Sequence, residues 1–318
     1  MLSHLGLVII DLRHIRAGQE ATRMMRPEPW RHEFMRVNSI RVHYVTMGKG
    51  PLIVLLHGFP EFWYSWRHQI PALATHFRVV AMDMRGYNES EKPSSLEEYT
   101  VGKLVGDVIG VVRGLGEQQA VIVGHDWGGV VAWRVAMMFP ELVKRLIILN
   151  APHPAARHTR GFHDLGQMRR SWYMFFFLLP EIPEQVLSRN NFEILRSFAF
   201  GTAVRRGAFS ESDIEAYVAS WRKPGGLTGG INYYRANVSA SYWLSLGRLP
   251  ELPKIRTPTL QIWGEEDPYL GKELTEGTAE FVDATYRLHF IPNCGHWVQQ
   301  EAPQEVNQNM LDFLKESR

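Results

Sequence analysis

The sequence predicts an α/β protein built on a mostly parallel, eight-stranded sheet with helices on both faces. Short apolar segments rich in β-branched residues alternate with longer segments whose apolar residues recur at helical spacing. The clearest example is the segment 120–123, which a glycine-rich turn joins to the helical pattern 130–136. Strands that alternate with helices in this way are typical of parallel sheets. Residues 150–249 interrupt the alternation with aromatic and charged residues, so we expect a helical lid inserted between two strands.

The predicted strands follow one another along the chain. Residues 36–45 alternate on either side of Asn38-Ser39, which indicates two antiparallel strands joined by a tight turn. Six further strands are short and mostly apolar, as strands covered on both faces are, at 52–56, 78–82, 120–123, 145–149, 259–263 and 287–291. Apolar residues at helical spacing predict one helix over 101–112 and another over 306–314.

The length of 318 residues and a hydrophobic fraction of 45% fit a single large domain with an insertion. We predict a core of residues 29–149 and 250–318, a lid of residues 150–249 and an N-terminal extension of residues 1–28. The net charge of +2 comes from scattered Lys and Arg, which argues against a nucleic-acid partner. No apolar run approaches the roughly 18 residues of a membrane span. The single cysteine, Cys294, fits a reducing compartment, so we expect a cytoplasmic protein. The sequence does not distinguish a monomer from a homodimer.

The segment Gly124-His125-Asp126-Trp127-Gly128 lies between a predicted strand and a predicted helix. A sharp turn in this setting is a nucleophile elbow, whose small residues let backbone pass close to backbone. The residue at its tip is Asp126, and a carboxylate nucleophile forms an alkyl ester at a saturated carbon. An aspartate at this position can instead cap the helix, so Asp126 alone leaves both interpretations open.

Two more candidate catalytic residues follow predicted strands further along the chain. Asp267 lies in the loop after 259–263, and His296 lies in the loop after 287–291. Both loops leave the edge of the sheet that carries the elbow, so the three side chains can converge. Taken singly, Asp267 could also be a turn residue, with Glu265 or Glu266 as the acid that pairs with the histidine. His296 taken singly could also be a histidine of the core.

The three residues predict a reaction in two steps. Asp126 is ionised at neutral pH and can displace a leaving group without help from a base. His296 then activates the water that attacks the ester, while Asp267 orients the imidazole ring and stabilises its charged form. The oxyanion develops on the carboxyl group of Asp126, so backbone N–H groups are needed there. By position these belong to Trp127 and, in the loop after 52–56, Phe59.

Taken together, these motifs resemble epoxide hydrolases of the α/β-hydrolase superfamily. The matching residues span about 30–318 and are His57-Gly58-Phe59-Pro60-Glu61, Asp83-x-Arg85-Gly86-Tyr87, Gly124-His125-Asp126-Trp127-Gly128-Gly129, Gly264-x-x-Asp267 and Gly295-His296-Trp297. The set is specific as a whole, although each motif alone is only moderately so. The resemblance implies the α/β-hydrolase fold and the opening of a small apolar epoxide by water to a vicinal diol, with no cofactor and no metal.

The resemblance also implies two lid tyrosines that protonate the leaving oxygen. Such an acid is physically required, because the leaving alkoxide of an epoxide is strongly basic. The matching positions are Tyr173 and Tyr234, with Tyr233 as an adjacent competitor for the second. The family usually has a cis bond before the proline of its His-Gly-x-Pro motif, here Phe59–Pro60. The chain departs from the family at Asn88, where glycine is frequent, but asparagine also tolerates a positive φ.

Several other interpretations are open to test. A haloalkane or haloacetate dehalogenase uses the same chemistry of Asp126, His296 and Asp267. Its leaving halide needs N–H groups that donate hydrogen bonds to it, and haloalkane dehalogenases often have an asparagine for this purpose where this chain has Phe59. A receptor built on this fold would have a broken triad, and a serine esterase needs a hydroxyl at position 126.

We expect three apolar residues, Trp127, Phe59 and Trp297, at the substrate pocket, with Met168, Met174 and the aromatic residues of 172–177 as further candidates. The spacing of His153, His158 and His163 does not favour a metal site, and we expect these histidines at the surface. Cys294 lies in the loop after 287–291 that contains His296, called the histidine loop below. It is better explained as a small buried thiol than as a nucleophile.

Overall fold

The computed structural model describes residues 29–155, 164–238 and 252–316. The chain divides into two units, Met1–Arg31 and His32–Arg318. The predicted N-terminal extension lies outside the described residues. Within the described ranges, no helix combines the length and apolar character that a membrane crossing requires.

Eight strands form a single sheet in the order β1-β2-β4-β3-β5-β6-β7-β8. They are β1 (Arg31–Val37), β2 (Ile40–Met47), β3 (Leu52–Leu56), β4 (Arg78–Met82), β5 (Ala120–His125), β6 (Val143–Leu149), β7 (Thr259–Gly264) and β8 (Tyr286–Ile291). Strand β2 pairs antiparallel with β4, and the pairs from β4 through β3, β5, β6, β7 and β8 are all parallel. The prediction of a mostly parallel, eight-stranded sheet is confirmed.

The α-helices in the described residues are α1 (Gln69–Leu73), α2 (Val101–Gly114), α3 (Trp127–Met138), α4 (Leu165–Arg170), α5 (Trp172–Phe177), α6 (Ile182–Leu187), α7 (Arg189–Ala199), α8 (Glu211–Trp221), α9 (Gly226–Asn237), α10 (Val298–Glu301) and α11 (Pro303–Lys315). Short 3₁₀ turns lie at Trp63–Trp66, Leu96–Tyr99, Pro140–Leu142, Lys272–Thr275 and Thr278–Phe281. Helices α4 to α9 all fall between β6 and β7, in the segment that interrupts the alternation of strands and helices.

The burial of the strands follows their place in the sheet. Every residue of β3, β5 and β7 is buried, as expected for central strands that are covered on both faces. The edge strand β8 instead alternates between buried or half-buried and exposed side chains. The apolar sequence of the central strands therefore fixes the middle of the sheet, where burial of Val, Leu and Ile stabilises the fold by roughly 1.5–3 kcal/mol per side chain.

The turn between β5 and α3 depends on close backbone packing. A Cβ atom on Gly128 would lie 2.1 Å from the carbonyl oxygen of Leu56 in β3. A Cβ atom on Gly124 would lie 2.3 Å from the carbonyl oxygen of Gly128. Both distances are shorter than van der Waals contact, so larger residues would push α3 away from the sheet. The small residues predicted for the elbow are explained by this contact.

Candidate active site

The candidate catalytic residues lie in loops that leave the carboxyl ends of parallel strands. Asp126 follows β5 directly, Asp267 lies three residues after β7, and His296 follows β8. The loop containing Phe59 follows β3, which neighbours β5 in the sheet. Since these ends meet at one edge, residues far apart in the sequence converge there, as the sequence predicted.

Asp126 has a strained backbone conformation at the tip of the elbow, with φ 51° and ψ −119°. Its Oδ1 accepts a hydrogen bond of 2.9 Å from the backbone N–H of Phe59. Although Asp126 precedes α3, its side chain makes no capping hydrogen bond to that helix. The capping interpretation is therefore wrong, and the turn presents the carboxylate to the loop after β3 instead.

His296 lies between two carboxylates. Its Nδ1 is 2.7 Å from Asp267 Oδ2, and its Nε2 is 3.6 Å from Asp126 Oδ2. The rival acid Glu265 forms an ion pair with Lys272 at the surface. Geometry thus selects Asp267 as the carboxylate that orients the imidazole, with the other ring nitrogen directed at the elbow.

Asp267 is held by a set of donors that includes an asparagine missed by the sequence analysis. Its Oδ1 accepts from the backbone N–H groups of Tyr269 and Leu270, at 2.8 and 2.9 Å. Asn150 Nδ2 donates to Asp267 Oδ2 at 2.7 Å, and its own Oδ1 accepts from Gly264 N at 3.1 Å. Asn150 has φ 40° and directly follows β6. That position after a parallel strand was the signal that could have identified it.

The charges of the site shift two pKa values in opposite directions. Burial raises the pKa of Asp126, but the hydrogen bond and charge of His296 outweigh it and hold the pKa below its usual value. Burial lowers the pKa of His296, but the charges and hydrogen bonds of Asp267 and Asp126 raise it from 6.5 to about 10. The two shifts are linked, because the negative charge of Asp126 favours a protonated imidazole and a protonated imidazole favours an ionised Asp126.

A second buried pair connects three loops of the site. Glu61 Oε2 accepts from Gly58 N at 3.1 Å and lies 2.8 Å from His125 Nδ1. The other ring nitrogen of His125 is 2.9 Å from the carbonyl oxygen of His296. Both nitrogens of His125 thus face hydrogen-bond acceptors. The pair ties the loop after β3, the elbow and the histidine loop together, and the quoted motifs contain both residues without indicating this contact.

The two predicted tyrosines come from different helices of the inserted segment, between β6 and β7, and lie close to each other. Tyr173 in α5 and Tyr234 in α9 have ring centroids 6.0 Å apart. Both line a cavity with Asp126. The competitor Tyr233 is fully buried and donates its hydroxyl to the carbonyl oxygen of Arg85, at 2.7 Å. It is Tyr234 that shares the cavity with the carboxylate.

The cavity is narrow, with a volume of about 20 Å³. It is lined by Asp126, Trp127, Val130, Ala151, Pro152, Tyr173, Met174, Tyr234 and Leu270. Burial raises the pKa of Tyr234 well above its ordinary value, so its hydroxyl keeps its proton. Met168, which the sequence made a candidate lining residue, is 39% exposed and is not among the lining side chains.

The three predicted pocket residues lie in different environments. Trp127 lines the cavity beside Tyr234, with ring centroids 5.2 Å apart. Phe59 packs its ring against Tyr234 at 5.5 Å, and Trp297 packs edge-on against His296 at 4.7 Å. Pocket roles for Phe59 and Trp297 stay predictions, as does the oxyanion role of the Trp127 N–H. The hydrogen bond from Phe59 N to Asp126 Oδ1 is present, and the Phe59–Pro60 peptide bond is cis.

Two side predictions have clear outcomes. His153 is fully buried against Trp133 and Phe281, so the expectation of a surface position was wrong. Burial lowers the pKa of His153 to about 3, which keeps this histidine neutral. Cys294 is buried and its thiol pKa is raised by that burial, as expected for an inert thiol.

His158 and His163, the other two histidines of that set, lie outside the described residues. Across residues 29–155, 164–238 and 252–316, no three His, Cys, Asp or Glu side chains form a group suited to a metal ion.

Comparison with known proteins supports the family suggested by these motifs. Residues 51–303 match the family model of the alpha/beta hydrolase fold. Epoxide hydrolase 4 of Mus musculus is 39% identical over 294 residues, covering 90% of this chain and 80% of the relative. The AB hydrolase superfamily protein YfhM of Bacillus subtilis is 40% identical over 287 residues, covering 89% and 97% of the two chains.

Solved structures show the same relationship in three dimensions. A crystal structure of Bacillus megaterium epoxide hydrolase with an inhibitor superposes with a TM-score of 0.84 at 36% identity, covering 89% of this chain and 100% of the other. Epoxide hydrolase A from Mycobacterium thermoresistibile superposes with a TM-score of 0.76 at 30% identity, covering 90% and 98%. The chain therefore belongs to the epoxide hydrolases of the α/β-hydrolase superfamily.

Proposed function

We propose that this enzyme hydrolyses small apolar epoxides to vicinal diols through a covalent ester on Asp126. The observation that carries the proposal is the cavity that Asp126 lines together with Tyr173 and Tyr234. A carboxylate nucleophile and two phenols around one cavity fit an epoxide, whose carbon is attacked while its oxygen needs a proton. His296 and Asp267 lie behind the nucleophile, where the later hydrolysis requires them.

In the first step, one carboxylate oxygen of Asp126 attacks an epoxide carbon and the carbon–oxygen bond of the ring breaks. The electron pair of that bond passes to the epoxide oxygen, which takes a proton from Tyr173 or Tyr234. The phenol is a much stronger acid than the alcohol it creates, so this transfer is downhill. The product is a neutral ester between Asp126 and a β-hydroxyalkyl group.

Alkylation changes the protonation of His296. The ester carries no charge, so the carboxylate charge of Asp126 that helped raise the pKa of His296 is lost. The imidazolium then gives up its proton, which restores the neutral tyrosine through solvent. Formation of the ester thereby lowers the pKa of His296 and favours the neutral imidazole, which is the base that the second step requires.

In the second step, His296 takes a proton from water, and the resulting hydroxide attacks the carbonyl carbon of the ester. The oxyanion is stabilised by the N–H of Phe59 and, by its position after the nucleophile, that of Trp127. When the intermediate collapses, the diol leaves with an oxygen atom of Asp126 and the carboxyl proton. The carboxylate and the imidazolium of the resting enzyme are then restored.

We further propose that residues 150–249 act as a lid over a core of residues 29–149 and 250–318. Support comes from the inserted helices α5 and α9, which contribute two walls of the cavity. The lid matters for the chemistry because it supplies the acid and excludes bulk water from the ester.

We also propose, from composition and charge, that the protein is cytoplasmic and has no nucleic-acid partner.

Reactions with styrene oxide and 1-chlorobutane test the proposed function against dehalogenation. The wild-type enzyme should form phenylethanediol and release no chloride. Asp126→Ala should lower diol formation by at least about 10³-fold, because it removes the nucleophile while leaving a foldable chain. Release of chloride without diol would show instead that the site is a dehalogenase, and diol formation by Asp126→Ala would exclude the ester.

A further inference from the structure

A third buried carboxylate lies directly behind the histidine loop. Glu301 is the last residue of α10 and is 5% exposed. Its Oε2 accepts from the backbone N–H of Gly295 at 3.1 Å, and its Oε1 accepts from that of Trp297 at 3.2 Å. These are the residues immediately before and after His296. One carboxylate thus fixes the peptide groups on both sides of the histidine.

The same carboxylate also binds the inserted segment. Glu301 Oε2 accepts from the backbone N–H groups of Val204 and Arg205, at 2.7 and 3.0 Å. These two residues lie between α7 and α8, about a hundred positions from Glu301 in the sequence. The bonds of Glu301 therefore reach both the histidine loop and the inserted segment.

The side chain of Arg205 strengthens this connection. Its Nε donates to the carbonyl oxygen of Asn293 at 3.0 Å, and its Nη2 donates to that of Pro292 at 3.2 Å. Both carbonyls belong to the loop that leads to His296. At the surface, Arg205 Nη1 pairs with Glu305 at 2.5 Å. The inserted segment therefore contacts the histidine loop directly through Arg205 and indirectly through Glu301.

We propose that Glu301 is a positioning residue that couples the inserted segment to the placement of His296 for hydrolysis of the ester. Burying a carboxylate is costly, and this one uses its hydrogen bonds on the peptide groups that flank His296 and on the inserted segment. His296 Nε2 lies 3.6 Å from Asp126, a gap in which a shift of about 1 Å can change the rate by about 10². Asp126 Oδ1 accepts from the N–H of Phe59, a hydrogen bond that Glu301 does not share, so we expect ester formation to depend less on Glu301 than ester hydrolysis does.

The inference rests on the proposed function, and Glu301→Gln tests it by separating the two chemical steps. The amide oxygen can replace Oε2, but the amide NH₂ then faces the N–H of Trp297, donor against donor. We expect ester hydrolysis to slow by ten- to a hundred-fold, while ester formation changes by less than about two-fold. Rapid quenching of single turnovers with styrene oxide, followed by intact mass measurement, yields both rate constants.

Glu305→Gln is the matched control. It removes a carboxylate that also pairs with Arg205, but at the surface, where its side chain is 46% exposed. This variant should form and hydrolyse the ester at wild-type rates, and His296→Gln should accumulate the ester. A loss of folded protein in Glu301→Gln would lower the amplitudes of both steps and leave both rate constants unchanged.

Two results would overturn the positioning role of Glu301. One is ester hydrolysis at the wild-type rate in Glu301→Gln, and the other is equal slowing of both steps. Glu301→Ala, which removes every bond, should slow hydrolysis further, and Glu301→Gln decides the matter if the alanine variant does not fold. If the wild-type enzyme forms diol, these failures concern Glu301 alone; if it forms neither ester nor diol, the proposed function itself fails.

Discussion

At the scale of single residues, His296 links the electrostatics of the site to its chemistry. Two carboxylates face its ring nitrogens, and together they raise its pKa despite complete burial of the side chain. A base with such a pKa is protonated at neutral pH and cannot activate water in the resting enzyme. The proposed mechanism resolves this conflict, because the ester removes one of the two negative charges before water must be activated.

The raised pKa of His296 predicts a pH-dependent contribution to stability. Because the folded pKa of about 10 exceeds the unfolded value of 6.5, folding favours the protonated form. The contribution is complete below pH 6.5 and is lost as pH rises through about 10. The free energy of unfolding of the wild type should therefore fall toward that of His296→Gln over this range, measured by chemical denaturation. A constant difference between the two proteins would mean that His296 is neutral at rest.

At the scale of elements, two inserted helices bring Tyr173 and Tyr234 to the cavity that Asp126 lines. The ring of Tyr173 in α5 packs against Phe198 and Tyr269, at 5.4 and 5.7 Å. Helix α9 is joined to the core by Tyr233, and Arg235 in its last turn pairs with Glu184 in α6. The two phenols therefore reach the cavity from separately anchored helices, which makes their contributions separable by mutation.

Replacement of the cavity tyrosines by phenylalanine tests their role as acids. Either phenol can supply the proton, so Tyr173→Phe and Tyr234→Phe should each slow ester formation by about ten-fold. The double variant should slow it by at least about 10², within the usual range for general acid catalysis. The measurement is the rate of ester formation in single turnovers with styrene oxide.

Tyr233→Phe is the matched control for this pair. It leaves the carbonyl of Arg85 without its phenol donor, so it should lower the free energy of unfolding by about 1 kcal/mol. Ester formation should stay at the wild-type rate. A double variant of Tyr173 and Tyr234 that still forms the ester at the wild-type rate would refute the acid role.

At the scale of the whole molecule, the sequence predicted the central strands of the sheet better than the first edge strand, β1. The strands β3 to β7 are apolar because they are covered on both faces, and such segments are recognisable without a structure. Strand β1 begins at Arg31, earlier than the predicted 36, because its side chains are mostly exposed and show no apolar periodicity. The inserted helices were expected as a group, but their bounds were not predictable from mixed aromatic and charged residues.

The candidate site was predictable where local motifs mark it and not where distant contacts define it. Asp126 lies in a strand–turn–helix pattern that can be read from neighbouring residues. Asn150 contacts a side chain 117 positions away, and Glu301 contacts backbone groups 96 and 97 positions away as well as the two that flank His296. Tyr233 and Tyr234 are adjacent, so only the packing of α9 decides which phenol meets the cavity.

If Asp126 is the nucleophile, one of its oxygen atoms enters the diol during each turnover, and the oxygen of water enters Asp126 first. One turnover with enzyme in excess over styrene oxide in ¹⁸O-labelled water distinguishes this route from direct attack by water. We expect unlabelled diol and a mass increase of about 2 Da on the peptide that contains Asp126, because water attacks the ester carbonyl. Diol that carries ¹⁸O, with an unchanged Asp126 peptide, would contradict it.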